Sequence, residues 1–116
     1  MIGRPARREA TAPGRWEVPG VDAAALELAR HVEAALPQLS SPSAARWERW
    51  LAPLAEPLRD GEPAAVAAAG RRVRAAFGVG ESVAQALPPA EALALRDAAD
   101  ALLRAIARHE AKRGER

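Results

Sequence analysis

The residues with most chemistry to offer in this chain are few and scattered. His31 follows Glu27 by four positions, one helical turn, which sets an imidazole beside a carboxylate on a common face. His109 is the second of two histidines and lies on a different stretch. Two histidines on separate helices fall short of the three or four donors that hold a metal ion. As a general base, His109 would need both a partner and a pocket, and its helix tail reads as solvent-facing. The absence of Cys excludes disulfides, thiol nucleophiles and thiolate ligands. No Ser/His/Asp spacing, phosphate-cradling glycine loop or pair of inward carboxylates stands out, and Gly78-x-Gly80 reads as a turn rather than a dinucleotide fingerprint. The expectation is a protein that is not an enzyme, with no catalytic residues, no metal and no cofactor.

Binding chemistry is better represented. Trp47-x-x-Trp50-Leu51 places two indoles three residues apart, on one helix face. They either anchor an otherwise Ala-rich core or present an aromatic platform flanked by Arg46 and Arg49; no further aromatics extend a platform, so the core reading is preferred. Arg71, Arg72 and Arg74 form a basic cluster on the next helical stretch, and Trp16 is a lone aromatic in the N-terminal arm. These four residues are the expected partner surface. The segment 73–87 also resembles a helix-turn-helix around Phe77-Gly78-Val79-Gly80. Arg74 falls where that motif buries a small residue. The second helix has about six residues before Pro88, too few to lie across a major groove, and carries Glu81 but no base.

Helices must position these groups. Leu95, Ala99, Leu102, Leu103 and Ile106 recur at the spacing of one helical face, so the stretch from Pro89 to about Arg113 is the longest element. Arg96, Asp97, Asp100, Arg104 and Arg108 take its other side. Asp22 can cap a first helix of about 23–36, which Pro37 ends. A second helix carries Trp47, Trp50, Leu51, Leu54 and Leu58; Pro53 and Pro57 remove amides within it and predict a break near Ala52. Pro63 opens a third helix with Val66, Gly70, Val73 and Phe77 inward, where Gly70 permits a close crossing. Residues 82–87 allow at most a short helix. The fold class is all-α: about four helices in an up-and-down, bundle-like single domain at 21–113, with a loose basic arm at 1–20 and a tail at 114–116.

Composition agrees with this frame. The 116 residues make one modest core. Roughly a quarter are Ala, so three Trp, Phe77 and twelve Leu must supply most of the apolar burial. The formal net charge is only +2, but it is uneven: +2 over residues 1–20, −3 over 21–70 and +3 over 71–116. A dipolar surface suits a protein partner at least as well as nucleic acid. The N-terminus lacks the apolar stretch of a signal peptide, and no uncharged apolar run is long enough to span a bilayer, so a cytoplasmic location without membrane association is expected.

Arg46-Trp47-Glu48-Arg49-Trp50-Leu51, then Leu58-Arg59-Asp60-Gly61, then Phe77-Gly78-Val79-Gly80-Glu81-Ser82 resembles an uncharacterised bacterial family of small helical domains. Its members pair a W-x-x-W-L helix with an acidic-Gly turn and an F-G-G-x-G-S segment. The likeness runs over about residues 24–110. It departs at Val83-Ala84, where the family has Asn-Asp. The family has no established activity, so the resemblance implies architecture alone. The functional expectation is a non-catalytic protein-interaction or regulatory protein whose partner is another protein or a second copy of itself. The alternative is a nucleic-acid-associated accessory protein using the arm, the Arg71–Arg74 cluster and the basic C-terminus.

Overall fold

The computed structural model describes residues 19–40, 42–78 and 80–114. Trp16 and residues 1–18 of the expected arm lie outside the described residues, while Pro19 and Gly20, its last two, belong to the first helix described. Within them every regular element is helical: α1 (Pro19–Ala35), α2 (Ala44–Leu51), α3 (Ala55–Asp60), α4 (Pro63–Ala75) and α5 (Pro89–Gly114), with 3-10 turns at Leu36–Gln38, Ala52–Leu54 and Val83–Ala86. The break near Ala52 is present, because Pro53 lies in the 3-10 turn and Pro57 in the short helix after it. α2 and α3 thus make one bent rod, and the described residues fold as four helical rods. Asp22 does not cap α1. The helix begins at Pro19 and Asp22 falls in its first turn. A proline opens a helix without orphaning an amide, and the added turn buries Val21 completely.

α1 packs most extensively on α5. The Ser40 amide donates to the Ala86 carbonyl at 2.9 Å, and the Ser40 hydroxyl donates to the same oxygen at 3.3 Å. The end of α1 is thereby held to the start of α5, so the two run antiparallel. α4 also crosses α5 in the antiparallel sense. Gly70 faces Leu102, and four residues on, Arg74 reaches Asp100. A Cβ on Gly70 would stand 2.9 Å from Leu102 Cδ2, so the missing side chain is what permits the close crossing.

The core is built as the α5 stripe requires: Leu95, Ala99, Leu102 and Ile106 are buried, Leu103 half so. Trp47 is its largest fully buried side chain, with Leu28, Leu51 and Leu58 beside it. Eleven of the twenty-four buried hydrophobic residues are Ala, and no polar or charged residue is buried among the described residues. α5 spans about 39 Å and α1 about 25 Å at 1.5 Å per residue, so α5 outlasts its partner. Residues 107–113 of α5 are exposed except for His109, which is half-buried. No helix is long and apolar enough to cross a membrane among the described residues.

Candidate interaction surface

The two tryptophans part company. Trp47 is 1% exposed, while Trp50 is half-buried at the rim, with ring centroids 5.3 Å apart and planes tilted by 58°. Trp50 packs against the core from its edge, without being fully buried as Trp47 is. Its Nε1–H donates to the Arg72 carbonyl at 2.9 Å, and the Arg72 guanidinium lies 3.8 Å from its ring centroid. One residue thus holds the indole by both its edge and its face. The Arg46 guanidinium covers the Trp47 ring at 4.6 Å and ion-pairs with Glu81. That pair ties the W-x-x-W helix to the loop after Phe77. Trp47 Nε1 is buried with no hydrogen-bond partner among the described residues.

The Arg71–Arg74 cluster is dispersed by its contacts. Arg72 is committed to Trp50, and Arg74 Nε donates to Asp100 Oδ1 at 2.8 Å. Arg71 and Arg72 are both exposed and make no ion pair among the described residues, and Arg71 lacks even the contact with an indole. Elsewhere Arg59 forks onto Glu33 at 2.5 and 3.1 Å, and Arg30 meets Glu27 at 2.6 Å. The Arg59 guanidinium holds the Glu33 carboxyl below its ordinary range, chiefly by hydrogen bonding, and Glu33 in turn raises the pKa of Arg59. His31 Nε2 lies 3.1 Å from Glu27 Oε2. No group of three or more His, Cys, Asp or Glu is placed to hold a metal among the described residues.

Nor does segment 73–87 form a helix-turn-helix. After α4 the chain turns through Gly80, at φ +92°, and makes only the 3-10 turn 83–86, opened by Ser82 Oγ accepting from the Ala84 amide at 3.1 Å. Four residues give no recognition helix.

Sequence reasoning overlooked a shallow groove between this loop and α5. It encloses about 300 Å³ and is lined by Phe77, Ala84, Pro89, Ala92, Leu93 and Arg96. Phe77, expected inward on α4, lies past the end of that helix; it packs half-buried against the core and forms one wall of the groove. Leu93 is 51% exposed, the most exposed large hydrophobic residue described. The signal was present in the pattern: two positions from Leu95, Leu93 falls about 200° around the helix, off the inward stripe and among the charges. Arg96, one turn on, edges the groove and makes no ion pair among the described residues. No family model, curated protein or solved structure matches this chain.

Proposed function

We propose that this is a non-catalytic interaction protein that binds another protein, or a second copy of itself, through the outer surface of α4 and α5. The observation that carries the reading is Leu93: a large aliphatic side chain left half in water beside a half-buried Phe77, in a concavity with an unpaired cation at its edge. Such a surface recognises by shape and needs no reacting group.

A second reading rests on a different observation. Arg104, Arg108 and Lys112 follow one another at i, i+4 and i+8 on α5, exposed and without ion pairs among the described residues. That row would suit the phosphates of a nucleic acid. Against it, Arg30, Arg46, Arg59 and Arg74 are already engaged by carboxylates. One experiment separates the two. A photo-crosslinking benzophenone amino acid replaces Leu93 in the full chain, with exposed Ala45 on α2 as the control site, and the cells are irradiated. Discrete protein adducts at position 93 and not at 45 are expected. Nucleic-acid adducts would transfer the assignment to the second reading, and no adduct at all would defeat the first.

A further inference from the structure

We infer that the outer face of α5 pairs antiparallel with α5 of a second copy of this chain, Asp97 of each copy meeting Arg104 of the other. This rests on the interaction reading above and names the partner. At about 3.6 residues per turn, Leu93, Asp97, Arg104 and Arg108 fall opposite the buried stripe of Leu95, Ala99, Leu102 and Ile106. All four are exposed. Charge along the helix is divided. Residues 89–100 carry Glu91, Asp97 and Asp100 against Arg96, and residues 101–113 carry Arg104, Arg108, Lys112 and Arg113 against Glu110. Asp100 is already held by Arg74 at 2.8 Å, and Arg96 edges the groove. Asp97 and Arg104 are left on the outer face, each without an ion pair among the described residues. Two helical turns, about 10 Å along the axis, keep them from pairing with each other.

A second copy satisfies both. A two-fold contact uses one patch twice, so every pair of residues recurs in exchange. Antiparallel helices centred between Asp100 and Ala101 set Asp97 against Arg104 twice and Leu93 against Arg108 twice. The aliphatic stem of Arg108 then covers Leu93, which is 51% exposed in the single chain, while the guanidinium stays in water. The acidic half of each α5 lies over the basic half of the other, and the helix dipoles oppose. The part of α5 that outlasts α1 gains a neighbour in the same step. A parallel pairing would set Asp97 against Asp97 and Arg104 against Arg104. A nucleic acid would meet the Arg104–Arg108 row but also Asp97 on the same face, which repels phosphate.

The test is sedimentation equilibrium of the full chain at low and high salt, with Asp97→Arg and Arg104→Asp made separately. The parent should dimerise and dissociate as salt rises. Either variant alone sets like charges together at both contacts. Its dimer should weaken by about 25-fold at low salt, two ion pairs of up to about fivefold each being lost. Mixed in equal amounts, the two variants are complementary at both contacts and should form a heterodimer, which damage to the fold of either would not produce. Both positions are exposed, so circular dichroism should show the variants folded. The neutral changes Asp97→Asn and Arg104→Gln give a second check. Their mixture regains one contact and should associate up to about fivefold more tightly than either alone. A dimer that ignores both reversals, or that mixing does not restore, would overturn the α5 pairing. A parent that stays monomeric would overturn it too. Protein adducts at position 93 would then leave the interaction reading intact with a different partner, and no adduct would remove both. Mixed-sequence duplex DNA that binds the monomeric parent and is lost in Arg104→Asp would assign the basic row to nucleic acid and overturn the inference.

Discussion

Replacing Trp47 tests how this core is held. Eleven of its twenty-four buried hydrophobic residues are Ala, which can neither move into a void nor fill one. A Trp→Ala change at a buried site costs about 3–5 kcal/mol, and so rigid and small-residued a surround places Trp47→Ala near the upper end. Total stability for a domain of this size is of order 10 kcal/mol, so the variant should fold but melt early. With a urea slope of about 1.5 kcal/mol/M, a loss of about 4 kcal/mol moves the midpoint down by about 2.5 M. Trp47→Phe separates two contributions. It keeps one ring in the cavity and removes the buried Nε1–H that has no acceptor among the described residues. An orphaned buried donor costs about 1–3 kcal/mol, which offsets part of the lost volume, so Phe should cost no more than about 1–2 kcal/mol. Urea unfolding followed by far-ultraviolet circular dichroism measures both without relying on indole fluorescence. A midpoint for Trp47→Ala within about 0.5 M of the parent would refute the placement of Trp47 at the centre of the core.

Further outcomes follow from the same geometry. Trp50→Ala should cost about 2 kcal/mol, less than Trp47→Ala, because it forfeits half a ring's burial, one hydrogen bond to the Arg72 carbonyl and one cation–π contact; the ranking of the two urea midpoints checks it. Ending the chain after Arg108 should leave cooperative melting nearly unchanged, since most residues beyond it are exposed. Ending it after Ala98 removes Ala99, Leu102 and Ile106 from the core and should abolish a cooperative transition in calorimetry. Glu33 should titrate below its ordinary 4.5 by carboxyl NMR and return toward it in Arg59→Met. A lowered folded-state pKa stabilises above the unfolded value, so this contribution is present at neutral pH and fades as pH falls through the folded pKa.

The parts of the fold that the sequence made legible are those governed by local chemistry. The stripe Leu95, Ala99, Leu102 and Ile106 states its own period. The break at Ala52 follows from two prolines that cannot donate, and the start at Pro63 from a third. Gly70 marks a close approach, since a Cβ there would meet Leu102 Cδ2 at 2.9 Å and force it to shift. What stayed hidden depends on contacts distant in sequence. Trp47 and Trp50 share a helix face, yet Arg72, twenty-two residues beyond Trp50, draws the second indole to the rim. Arg74 looked like part of a free cluster until Asp100, twenty-six residues on, proved to hold it. Asp22 and Pro19 are both competent to begin α1, and only the burial of Val21 selects the earlier one. The candidate site was missed for a related reason. Phe77 was assigned to the α4 stripe, but the helix ends before reaching it, and Leu93 gains meaning only when the loop is folded beside it.

The bond from Ser40 to Ala86 also has a consequence for synthesis. Among the described helices α1 is made before the others, yet its principal partner, α5, is made after them. At about 5–20 residues per second, roughly 4–15 s separate the emergence of Ser40 from that of the end of α5. Over that interval α3 can cover part of α1, through Leu58 and the Arg59–Glu33 pair. The surface that α5 will occupy stays open to water and to other nascent chains. The tolerance of α1 for small side chains, with Ala25, Ala29 and Ala35 among its buried residues, keeps that waiting surface modest in area and weak in adhesion. An Ala-rich α1 thus leaves less apolar area open to water until α5 is made to cover it.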